Sequence, residues 1–172
     1  MPLQPATRNF MIYLQQHPEV RGRIKAERDK TLLYAGDFGS PIWVQLETYK
    51  RQHPGAIQLL PDVLKSIAAP PGSLGNMKDH VDDLTRKVSP RDQSVIWKAL
   101  SGIFASNAEG TVYFSVGSHV TPNKKVFAST EIAVLLRNPN ISAVSRELVE
   151  YYRRCVQTRT SEINTGFMPG DF

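Results

Sequence analysis

Proline sets the segment boundaries of this chain. It occurs 12 times in 172 residues. It biases the residue before it away from helix and favours a helix start when it lies in the first turn. His17-Pro18 interrupts a helix expected over 6–16, with Phe10, Met11 and Leu14 as its apolar positions. Ser40-Pro41 reads as a cap plus first turn, leading into a stripe of Ile42, Trp43, Leu46 and Tyr49 that His53-Pro54-Gly55 ends. Leu60-Pro61 opens a short helix, Ala69-Pro70-Pro71-Gly72-Ser73 is a turn or linker, and Ser89-Pro90 restarts the chain into a long helix over 93–108.

Strands are scarcer. Thr111-Val112-Tyr113-Phe114-Ser115-Val116-Gly117 is the best one, β-branched and aromatic with a glycine stop. Residues 21–34 read as either a second helix or an extended lead into the core. Residues 77–88 read as a polar surface helix, 141–144 as a candidate second strand, and 146–155 as a helix. A short helix is expected through Leu136, and Asn138-Pro139-Asn140 is a turn. The expectation is an α/β protein: a helical N-terminal lobe packed on a small C-terminal α/β domain with a short, mostly parallel sheet. The lobe is expected over 1–68, a linker and surface helix over 69–88, and the α/β domain over 89–172.

With 41% hydrophobic residues the chain can bury a core, which argues against global disorder. No window is apolar for long enough to span a membrane, and no signal peptide is read at the N-terminus. The single cysteine, Cys155, rules out an intrachain disulfide and a cysteine-rich metal site. His17, His53, His80 and His119 are dispersed without metal-ligand spacing, so no metal is expected. The formal charge of +5 favours anionic partners. Its densest group, Arg21, Arg23, Lys25, Arg28 and Lys30, is interrupted by Glu27 and Asp29 and reads as a solvated helix face. It lacks the interleaved aromatics of a single-strand platform, so nucleic acid is not the expected partner.

Two stretches carry chemistry. In Ser94–Ser101, Trp97 and Ser101 share a helical face, being four residues apart. In Val126–Glu131, Phe127 precedes Glu131 by four, on a segment leaving a strand region. An aromatic wall, a hydroxyl and a carboxylate together can hold a planar heterocycle and stabilise positive charge beside it. In α/β units such groups sit in the turns that leave strand ends.

On these stretches the chain resembles the ADP-ribosyl cyclase family of NAD-consuming enzymes. The matching segments are Lys30-Thr31-Leu32-Leu33-Tyr34-Ala35, Leu59-Leu60-Pro61-Asp62-Val63-Leu64, Trp97-Lys98-Ala99-Leu100-Ser101 with Phe104-Ala105 and 110–116, and Phe127-Ala128-Ser129-Thr130-Glu131. They cover roughly residues 29–145 in the family's order. The resemblance implies Glu131 as the catalytic carboxylate and Tyr34 and Trp97 as the two aromatic walls around nicotinamide. It also implies Ser101 near ribose and phosphate, Phe127 on the phosphate side, and Asp62 as the retained half of an acidic pair. Tyr34 stands where the family has tryptophan, and Pro61 where it has glutamate. The disulfides of the animal members are missing, which fits a microbial toxin or effector domain. NAD(P) would be the substrate, with no cofactor and no metal. A cognate immunity protein would be the partner, and a dedicated secretion system would deliver the chain to a target-cell cytoplasm.

The residues leave other readings open. The first is cyclisation to cyclic ADP-ribose instead of hydrolysis. The second is a small basic ribonuclease toxin built on His119, Lys124, Lys125 and Glu131. The third is a non-enzymatic immunity or adaptor module, with Trp97 in packing and Glu131 in solvent.

Overall fold

A computed structural model describes residues 2–35, 41–116 and 130–158. Its two strands, Thr31–Ala35 (β1) and Val112–Val116 (β2), run parallel, with Thr31 opposite Val112 and Ala35 opposite Val116. Eight helices surround them among the described residues: Pro5–Gln16 (α1), Pro18–Arg23 (α2), Pro41–Gln52 (α3), Leu60–Lys65 (α4), Met77–Arg86 (α5), Pro90–Ser106 (α6), Ile132–Leu136 (α7) and Ala143–Thr158 (α8). The arrangement is mixed α/β, a helical assembly around a small parallel sheet. No helix among the described residues is long and apolar enough to cross a membrane.

The first part of the chain is not wholly helical, because it supplies β1. Leu33 joins Val112 and Phe114 in the main core, whereas Leu32 packs with Leu46, Ile57 and Leu59 in a second cluster that Tyr34, Tyr49 and Tyr113 cover. Successive side chains of β1 therefore enter different apolar clusters, as the pleat requires. Single bridges from Thr31 to Gln58 and from Gly110 to Ile141 extend the sheet at either side of its N-terminal end.

Other expectations are corrected. Residues 141–144 are not a strand: Ile141 makes only the bridge to Gly110, and Ser142 Oγ accepts from Ser145 N at 3.2 Å as α8 begins. The surface helix expected over 77–88 is present as α5, its Met77, Val81 and Leu84 buried and its Asp79, Asp83 and Arg86 exposed. The basic group is not one helix face. Only Arg21 and Arg23 lie in α2, and Arg21 Nη1 donates to Leu14 O and Gln15 O, capping α1. Lys25 pairs with Glu109 and Lys30 with Glu27.

The prolines stand where the sequence puts them. They occupy the first turns of α1, α2, α4 and α6, and Ser89 caps α6 by accepting from Asp92 N at 3.2 Å. Asp92 in turn accepts from Gln4 N at 2.9 Å, which seats α1 against α6.

The sheet is registered at its N-terminal end. Asp29 N donates to Glu109 O at 3.0 Å, and Asp29 Oδ1 accepts from Thr111 N at 2.7 Å. Gly110 at φ +73° lies against Asp29, where a Cβ would come within 2.0 Å of Oδ1. On the far side Val112 N donates to Ser145 Oγ at 2.8 Å, fastening β2 to α8. These ties align the two strands, so their C-terminal ends open on one edge.

Candidate active site

That edge is where ligands bind in parallel α/β arrangements, because the turns leaving the strands converge there. Tyr34, next to last in β1, stands opposite Ser115 of β2. Its phenol is pushed up to about 12, first by burial and then by the negative charges of Glu131, Asp62 and Glu47. Tyr34 therefore stays protonated across the working range and feels the Glu131 carboxyl.

Glu131 directly precedes α7 and is only 6% exposed. Burial pushes its carboxyl up to about 8, and a hydrogen-bonding interaction with the Ser101 side chain pulls in the opposite direction. Its Oε2 is buried with no hydrogen-bond partner. An unpartnered buried carboxyl oxygen is costly, and such a group is a common feature of functional sites. Ser101 is itself buried in α6, three turns from the Ser89 cap.

The placement of Glu131 is held from behind. Asn138 Nδ2 donates to the carbonyls of Ala105, Ser106 and Ala108 at 2.9, 3.2 and 2.9 Å, tying the end of α7 to the end of α6. Arg146 Nη1 and Nη2 donate to Leu136 O and Asn138 O at 3.2 and 2.5 Å. A five-residue helix has little stability of its own, so these ties fix it.

The fold thus brings Glu131 to Ser101 from positions far apart in sequence, within electrostatic reach of Tyr34, whose ring packs on the second apolar cluster. Trp97 lies one turn before Ser101 on α6, half-buried and packed against the main core. Asp62 belongs to the periphery. Its Oδ2 accepts from Leu59 N at 3.1 Å at the start of α4, and its Oδ1 pairs with Lys50 at 2.8 Å. Its charge acts on Tyr34, as that of Glu131 does. Phe127, His119, Lys124 and Lys125 lie outside the described residues. Of the two placements that the non-enzymatic module calls for, Trp97 in packing is met and Glu131 in solvent is not.

Several contributors escaped the sequence reading: Asn138, Lys50, Glu47 and Ser115. Ser115 is fully buried, and its Oγ has no partner. Asn138 was legible only as part of a turn. A mid-helix glycine next to Ser101, Gly102, was a signal of close packing that the apolar patterning does not weigh. Among the described residues no group of three or more His, Cys, Asp or Glu is placed to hold a metal ion.

No protein-family model matches the chain, and none of the curated proteins or solved structures compared with it matches.

Proposed function

We propose that the protein is an NAD(P) glycohydrolase that cleaves the bond between nicotinamide and ribose. The observation that carries this reading is the buried Glu131 carboxyl, with one oxygen unpartnered, beside Ser101 and within electrostatic reach of Tyr34 near the C-terminal end of β1.

The chemistry follows from charge. Nicotinamide in NAD carries a positive ring, and its departure leaves positive charge on the ribose. Breaking the bond from ribose C1′ to the ring nitrogen returns the bonding pair to nicotinamide, which leaves neutral. Water then bonds to C1′ and releases a proton, giving ADP-ribose. A fixed carboxylate in a dry site stabilises the positive charge that moves onto the ribose far more than one in water does.

Glu131 is mostly neutral at neutral pH in the free protein, because burial holds its acidity near pH 8. A docking cation supplies the opposite charge that burial withholds, so binding itself favours the carboxylate. Ser101 orients the carboxyl, and its hydrogen-bonding interaction favours the charged form. Tyr34 offers a ring face on which the heterocycle stacks, and Trp97 offers a second aromatic one helical turn from Ser101. Asp62, tied to Lys50, holds negative charge near Tyr34 without joining the reaction.

The finer reading takes residues 1–68 as mostly helical and 89–172 as α/β, the two parts sharing the sheet through β1 and β2. The small basic chain and its single cysteine fit a toxin or effector domain neutralised in its producer by an immunity partner.

Purified protein incubated with NAD, with nicotinamide, ADP-ribose and cyclic ADP-ribose resolved by chromatography, tests the proposal. Nicotinamide and ADP-ribose are expected in equal amounts. Cyclic product in place of ADP-ribose would make the enzyme a cyclase. No turnover of NAD or NADP by folded protein sinks the reading, and degradation of RNA becomes the next assay.

A further inference from the structure

Gly102 follows Ser101 in the interior of α6. Its backbone is not in the left-handed region, so conformation alone does not call for glycine there. Glycine within a helix is destabilising relative to alanine. The neighbour explains it: a Cβ at Gly102 would lie 3.3 Å from Thr130 Cγ2 and 3.9 Å from Val134 Cγ2. By contrast, a Cβ at Gly22 in α2 would meet nothing within 4 Å.

We infer that Gly102 is a positioning residue, whose missing side chain sets the spacing between α6 and α7 that holds the Glu131 carboxyl against Ser101. The inference rests on the catalytic reading of Glu131. Thr130 is the residue before Glu131, so a push on its methyl group passes directly to the carboxyl. Asn138 clamps the far end of the seam onto the carbonyls of Ala105, Ser106 and Ala108. An added methyl at Gly102 therefore opens the seam at the Glu131 end.

The test is a cycle of Gly102→Ala, Thr130→Ser and the double variant, with Gly22→Ala as the control for adding a methyl to a helical glycine. Thr130→Ser deletes the methyl that the new Cβ would meet. Gly102→Ala is expected to lower kcat on NAD about tenfold with little change in KM, as small misplacements of reacting groups do. The double variant should recover to within about threefold of wild type, the signature of direct coupling. Gly22→Ala should match wild type, and thermal unfolding should show every variant folded. Full activity of Gly102→Ala overturns the inference, as does a folded Gly102→Ala that Thr130→Ser does not rescue.

Should wild-type protein fail to cleave NAD, the proposed function falls while the seam can still be read. Carbon-13 NMR of the Glu131 carboxyl should then show a titration midpoint that moves in Gly102→Ala and returns in the double variant. A midpoint unmoved by Gly102→Ala overturns the inference on its own.

Discussion

A carboxyl group sealed from water resists ionisation, and in Glu131 this resistance joins stability to function. Its folded value of about 8 stands above the ordinary 4.5 because burial penalises the charge. Between those values the folded protein keeps a proton that the unfolded chain has released. Stability is therefore fully present below the unfolded value and is lost as pH rises toward 8, by about 1.4 kcal/mol per pH unit for this group. Glutamine has the same shape and no proton to lose. Denaturant unfolding of Glu131→Gln and wild type across this range should show the variant gaining on wild type as pH rises. Parallel profiles would mean that Glu131 ionises as an ordinary surface carboxyl. Glu131 was legible as a residue type at the start of a helix, but its burial was not, because nothing near it in sequence says what covers it. Asp62 shows the opposite case. Its carboxylate accepts from Leu59 N at the start of its own helix, a local contact, while its ion pair joins it to Lys50, 12 residues earlier.

The elements bring these residues together only if the two strands hold their register. Gly110 and Asp29 set it, both at positive φ and in contact. Replacing Gly110 with alanine adds strain at φ +73° and drives Asp29 Oδ1 from Thr111 N. A loss of roughly 3 kcal/mol is expected from these two effects, read as a lower urea midpoint with an unchanged slope. A variant as stable as wild type would mean that the register is fixed elsewhere. The sequence showed β2 clearly, because β-branched and aromatic residues cluster between glycines. It left β1 ambiguous, since both faces of Leu32-Leu33-Tyr34 are covered and the polar alternation of a half-buried strand is missing. Ile141 misled for a related reason: an apolar residue beside a helix start resembles a short strand until Ser142 is seen to cap α8.

At the scale of the whole molecule, the helices announced themselves through prolines and caps, whereas the site is a product of packing. Spacing placed Trp97 and Ser101 on one helical face, and that face does carry the buried Ser101. It could not bring Tyr34 from β1 to Glu131 before α7, because that meeting depends on a parallel sheet with one strand from each half of the chain. The proposed chemistry is cleavage of the nicotinamide–ribose bond through the Glu131 carboxylate. The most direct measurement is nicotinamide release from NAD by wild type and Glu131→Gln side by side, above about pH 8, where the wild-type carboxyl is ionised. A rate lower by roughly 10²–10³-fold is expected in a variant that unfolds no earlier than wild type. Equal rates in the two proteins would contradict it.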